Sequence, residues 1–195
     1  MQNMNPGLAQ AIFRQPYEST NWSLNYDTSS VRFYAMQRNL VARPFRKIEG
    51  SFKEYAGFMQ TSAEGFIDAD ISFSIVASSI NTGNIRRDRH LLSSDFFDTN
   101  NFPVIRFQSL SFEKGKNNEY ILEGNCTMRD ITKRLVFDVV YEGVKEDAWG
   151  NTIANFKATT EINRYDFGIR SNMFFEAFIE KNITISLDLE FFQLS

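Results

Sequence analysis

"FIDADISFSIVAS" occupies Phe66–Ser78. Ile67, Ala69, Ile71, Phe73 and Ile75 fall on one side of an extended chain, and Asp68, Asp70, Ser72 and Ser74 on the other. Side chains alternate across a strand, so this segment has one dry face and one wet face. That pattern belongs to an antiparallel sheet solvated on one side.

The pattern recurs down the chain. "RLVFDVVYEG" (134–143) aligns Leu135, Phe137, Val139 and Tyr141. "NITISLDLEFF" (182–192) aligns Ile183, Ile185, Leu187, Leu189 and Phe191. "TIANFKATTEI" (152–162) aligns Ala154, Phe156, Ala158 and Ile162. "SVRFYA" (30–35), "KIEGSFKEYAGFM" (47–59), "VIRFQSLSF" (104–112) and "YILEGNCTM" (120–128) are further strands. In "VIRFQSLSF" the apolar set shifts from Ile105 and Phe107 to Leu110 and Phe112, which predicts a bulge.

Short polar turns join these runs. "KGKNNE" (114–119) and "KEDAWGNT" (145–152) read as hairpin loops, and "MRDITK" (128–133) as a tight reversal at Arg129-Asp130. Glu146 and Asp147 belong to such a solvated loop. Short connections make sequence neighbours antiparallel neighbours. No helical pattern separates the strands, which argues against a parallel α/β sheet. About eight one-sided strands bury their dry faces and lose their edges together by closing into a barrel. A barrel of that size is just filled by side chains or holds one small ligand. The expected fold is therefore all-β: a single antiparallel β-barrel of about eight strands with a short helical segment near residues 84–97. Residues 1–20 are expected to form a partly ordered leader and residues 21–195 the barrel domain.

Composition narrows the function. The chain of 195 residues carries 21 basic and 24 acidic side chains, a formal charge of −3, which is no footprint for nucleic acid. Phenylalanine appears 20 times against 4 prolines; aromatics suit a pleated half-buried surface and also line apolar pockets. The single cysteine, Cys126, permits no internal disulfide and reads as a small buried hydrophobe. The 10 glycines are scattered, with no phosphate loop or dinucleotide fingerprint, so no cofactor is expected. No apolar run approaches the ~20 residues of a membrane span. "MQNMNPGLAQAIFRQPYESTN" (1–21) lacks the basic and apolar regions of a secretory signal. A cytoplasmic location is expected on that ground, with the periplasm as the alternative if a signal has been removed.

One segment breaks the period of two. "NTGNIRRDRHLLSSDFFD" (81–98) spaces Ile85, Leu91, Leu92, Phe96 and Phe97 for a short amphipathic helix, with Asn84 placed to cap it. Lying between strands, it is expected to cross one end of the barrel. It contains the only histidine, His90. A metal site would want further ligands at ligand spacing; there is no second histidine or partner cysteine, and Asp88 and Asp95 beside one imidazole are a thin signal. A Ser93–His90–Asp95 relay has no G-x-S-x-G setting. The reading favoured is structural: Arg87, Asp88 and His90 pin the segment to the rim. "RPFRK" (43–47) is either ordinary surface or a contact for an anionic head group. In "RYDFG" (164–168), Gly168 is expected at positive φ and Arg164 with Asp166 as a corner ion pair.

"NWSLNYDTSSVRF", "IEGSF", "SINTGNIRRDRHLLSSDFFDTNNFPVIRFQS", "GNCTMRDITKRLVFDV" and "INRYDFGI" follow one another in the order found in YceI-like proteins. The resemblance spans roughly residues 21 to 192 and rests most on Thr82, Gly83, Arg87, Asp88, His90, Leu91, Asp95, Phe96 and Phe97. The chain departs from the family pattern where Ser29-Ser30 replaces His-Ser, where Met36-Gln37 stands near an expected second histidine, and at Asp130-Ile131-Thr132-Lys133. The resemblance implies a lipocalin-like barrel that binds a polyisoprenoid or other amphiphilic lipid in an apolar tunnel, often as a dimer. It implies no catalytic role.

The expected function is thus non-enzymatic storage or transport of an isoprenoid or fatty-acyl lipid. The tunnel wall is assigned to Phe33, Phe52, Ile71, Phe73, Phe107, Phe137, Phe156 and Leu187, and the lid or plug to Phe96, Phe97 and Phe167. Rim or head-group contacts are assigned to Arg43, Arg46, Arg87 and His90. A solid-cored protein-interaction module with a role in stress is the second reading, and a hydrolase using His90 the third.

Overall fold

In the computed structural model, residues 19–38, 45–62, 64–170 and 179–194 are described. Nearly all of the leader, and Arg43, lie outside them. The alternating runs form strands, except that 47–59, read as one, is divided at Lys53-Glu54, and two short strands, β1 and β6, are added: β1 (Thr20–Leu24), β2 (Ser30–Arg38), β3 (Phe45–Phe52), β4 (Tyr55–Thr61), β5 (Asp70–Val76), β6 (Ile80–Asn81), β7 (Val104–Lys114), β8 (Glu119–Met128), β9 (Ile131–Glu146), β10 (Thr152–Asn163) and β11 (Ile179–Gln193). Among the described residues one α-helix, α1 (Ile85–Leu92), interrupts them.

β1, β4, β5, β7, β8, β9, β10 and β11 pair in that order, and β11 returns to β1, closing an eight-stranded antiparallel barrel. Three of its staves are broken in two. β1 and β2 lie end to end along β11, with Leu24 opposite Phe191 and Ser30 opposite Asp188. β4 and β3 continue one another beside them, and β5 and β6 beside those. Among the described residues β6 pairs only with β3, while β7 begins opposite the end of β5, at Val76. The wall is therefore complete at the β4–β5 end and lacks a β6–β7 seam at the other. The connection carrying α1 fills that gap, with Leu91, Leu92 and Phe97 packed on the core and Phe52 edge-on to Phe97 at 6.0 Å.

The bulge expected in β7 lies between Ser109 and Ser111. Leu110 is the extra residue and points to solvent, so the inward set runs Ile105, Phe107, then Phe112. Arg129 and Asp130 make the two-residue reversal, Arg129 with φ 58. Gly168 has φ 66. Ile67 differs from expectation. β5 begins only at Asp70, and Glu64–Phe66 form a 3₁₀ turn, which leaves Ile67 exposed outside the strand's alternation. Arg164 also differs. It is buried and donates to the carbonyls of Ile169 at 2.9 Å and Ile179 at 3.2 Å, while Asp166 is exposed. It ties the β10 corner to the start of β11 through the backbone.

The core has two levels. At the β4–β5 end, Trp22, Met59, Phe66, Phe112, Tyr120 and Phe156 pack solidly. At the α1 end, Val31, Phe52, Ile80, Phe96, Met128 and Phe167 form a second cluster.

Candidate functional site

A cavity of about 200 Å³ lies in the lumen at the α1 end. Every stave of the barrel contributes to its wall. Among the described residues lining it, the only side chains bearing nitrogen or oxygen are Arg32, Thr82, Arg87, Arg106 and Arg164, and none is acidic. Water persists in a cavity only where polar groups give it several hydrogen bonds. This wall offers almost none, so an apolar guest is the occupant it suits.

Three rings lie flat against glycines on the wall. A Cβ on Gly50 would stand 2.2 Å from Cζ of Phe33, one on Gly57 would stand 2.8 Å from the Phe73 ring, and one on Gly124 would stand 2.3 Å from Cζ of Phe107. Phe33 and Gly50 are directly registered partners, as are Phe73 and Gly57. A glycine facing an aromatic across a sheet lets the ring fold down over the bare backbone. The lumen stays open because these rings spread along the wall instead of projecting across it.

Seven of the eight residues assigned to the wall line the cavity: Phe33, Phe52, Ile71, Phe73, Phe107, Phe137 and Leu187. Phe156 does not. It lies one inward position beyond Ala158 on β10, within the filled cluster, 5.3 Å from the Phe66 ring. Phe96 and Phe97 line the cavity from the segment after α1. Phe167 does not line it; it is almost fully buried under the Arg164–Phe167 3₁₀ turn, where it braces the corner.

α1 begins at Asn84, whose side chain accepts from the amides of Arg86 and Arg87, both at 3.1 Å. This cap aims the first turn so that Arg87 reaches back to Thr82. Its Nε donates to the hydroxyl at 2.7 Å and its Nη2 to the carbonyl at 2.8 Å. Asp88 in turn accepts the Thr82 amide at 3.0 Å. Arg87 and Thr82 both line the cavity, so this knot sits in its wall on the α1 side.

His90 lies outside the lining. Its ring sits edge-on to Phe96 at 4.9 Å, and its Nε2 is 3.7 Å from Asp95. Ser93 donates its hydroxyl to the carbonyl of His90 at 2.7 Å, so that oxygen is not presented to the imidazole. Among the described residues no group of three or more His, Cys, Asp or Glu is arranged to hold a metal. Arg46 is exposed on β3 and does not line the cavity. Cys126 does line it; burial pushes its thiol from 9.0 up to about 12.

Sequence reasoning missed the glycines, the burial of Arg164 against backbone carbonyls and the cavity, and wall residues such as Ile48, Ile80 and Ile162. The isoleucines were within reach through parity alone, since each sits on the dry face of its strand. The glycines were not, because nothing local says which ring crosses to them.

The YceI-like domain model matches residues 22–191. A UPF0312 protein of Pseudomonas fluorescens is 36% identical over 126 residues, covering 62% of this chain and 64% of the relative. Another from Pseudomonas putida is 32% identical over 123 residues, covering 63% and 64%. The chain thus spans about two thirds of the length of these curated relatives. Among solved structures, Burkholderia cenocepacia BcnA superposes with TM-score 0.71 at 17% identity, covering 86% of this chain and 98% of that one. A polyisoprenoid binding domain from Saccharophagus degradans superposes with TM-score 0.62 at 13% identity, covering 88% and 97%. Those likenesses carry the barrel fold, and the family match over residues 22–191 carries the identity: this chain belongs to the YceI-like domain family.

Proposed function

We propose that this protein binds the hydrocarbon chain of an amphiphilic lipid, isoprenoid or fatty-acyl, in its barrel cavity and does no chemistry on it. One observation carries this reading: a lumen walled by apolar side chains and held open by rings folded onto glycines. Transfer of such a chain from water contributes roughly 25 cal/mol per Å² of apolar surface buried, before the cost of ordering it. Arg87 is the residue we assign to the head group. It lines the cavity, is anchored through its guanidinium to Thr82, and forms no ion pair among the described residues. The polyisoprenoid-binding neighbour with the same fold is consistent with this role.

The test is extraction of the purified protein into organic solvent followed by mass spectrometry, together with titration by a fluorescent acyl or prenyl probe. A co-purifying lipid or stoichiometric probe uptake is expected. An empty extract combined with no uptake of either probe overturns the reading.

A further inference from the structure

On four adjacent staves the cavity stops between successive inward-facing residues. On β10, Ala158 lines it and Phe156 does not; on β9, Phe137 does and Val139 does not. On β8 the boundary falls between Leu122 and Tyr120, and on β11 between Leu189 and Phe191. Below these boundaries the barrel is filled by its own aromatics.

The filling is anchored. Phe66 enters the lumen from the turn between β4 and β5 and meets Trp22 at 5.3 Å, Tyr141 at 5.4 Å and Phe156 at 5.3 Å. Gly65 and Phe66 are both left-handed, with φ 73 and 63. For a bulky side chain that conformation is strained and persists only where its surroundings dictate it. Here Tyr120 donates its hydroxyl to the carbonyl of Gly65 at 2.8 Å, and the Ser62 amide donates to Asp68 at 2.9 Å across the same turn. The backbone bends unfavourably at Phe66, and the bend delivers a ring to the barrel axis.

We infer that this aromatic plug sets the length of the guest, so that the barrel takes single-chain amphiphiles of moderate length in preference to long polyprenyl chains. The inference rests on the lipid-binding reading and deepens it. Lining residues on β8 run from Leu122 to Met128. Six strand residues at about 3.3 Å each, tilted by roughly 40°, give a depth of about 15 Å. A dodecyl or farnesyl chain suits that depth; an octaprenyl chain is far longer.

The experiment is a displacement series on the full chain, using decanoate, dodecanoate, palmitate, farnesyl phosphate and octaprenyl phosphate, with thermal melting of each variant. Affinity should rise roughly fourfold per added methylene until the chain meets the floor, then level off. Phe66→Ala should shift that levelling to longer chains and admit octaprenyl phosphate. Ala158→Leu, which raises the floor from the cavity side, should shift it to shorter ones, and this arm stands even if Phe66→Ala fails to fold. Octaprenyl phosphate binding the native protein more tightly than farnesyl phosphate, or a levelling point unmoved in Ala158→Leu, overturns the plug. No binding by any member of the series overturns the lipid reading itself.

Discussion

The ring of Phe33 lies across Gly50, its registered partner on β3, so closely that a methyl group there would stand 2.2 Å from the ring carbon Cζ. The two residues act as one unit: the glycine has no side chain because the phenylalanine occupies its place. Gly50→Ala must therefore displace the ring, and the free direction is into the cavity. We expect probe uptake to fall by about tenfold or more, while stability falls by only ~1–3 kcal/mol, the usual range for overpacking. Adding Phe33→Leu should restore uptake. Probe titration and denaturant unfolding of the two single variants and the double variant check this coupling.

Identical truncations should cost differently at the two levels. Phe156→Ala removes a ring from a close-packed cluster and should destabilise by ~3–5 kcal/mol. Phe33→Ala removes a ring that already borders open space, and its cost should stay below about 2 kcal/mol. Equal costs by urea unfolding would mean that the lumen is as solid at one level as at the other.

Arg87→Ala should weaken an anionic probe such as dodecanoate by about tenfold and leave dodecanol nearly unchanged, because a charge-assisted hydrogen bond is lost only with the former. Arg87→Lys should recover part of the loss. Paired titrations with the two probes distinguish a head-group contact from a general loosening of the mouth.

Asn84→Ala removes the cap that satisfies two amides of α1 and should cost ~1 kcal/mol. Because α1 fills the missing seam, probe release should quicken more than melting temperature falls. Stopped-flow release alongside calorimetry tests that ordering.

Cys126 reports on the dryness of the lumen. Desolvation raises its thiol from 9.0 to about 12, so the folded protein favours the neutral form. Below pH 9 the thiol is neutral in both folded and unfolded chains, and this stabilising difference is fully present. As pH climbs from 9 toward 12 only the unfolded chain ionises, and stability is lost. Cys126→Ala should flatten that alkaline decline in melting temperature. Iodoacetamide should label the native protein slowly at pH 8 and the denatured protein rapidly.

The barrel was legible because alternation is a local property. Once Ile71, Phe73 and Ile75 share a dry side, register and closure follow from the need to bury that side and pair every edge. The β7 bulge could be read for the same reason, as a break in the alternation at Leu110. The Asn84 cap was equally local, a matter of residue type beside an amphipathic run.

Parity identified the wall side of each strand but not the depth at which wall becomes floor. Phe156 and Phe137 carry identical local signals, yet one is in the filled end and the other lines the cavity. What separates them is the entry of Phe66 from a distant turn, and the folding of Phe33, Phe73 and Phe107 onto glycines of neighbouring strands. Alternation along the chain determined that this protein would curl into a barrel. Only contacts between strands far apart in sequence decided where that barrel is solid and where it is hollow, because free volume belongs to the whole assembly of side chains and to no segment alone.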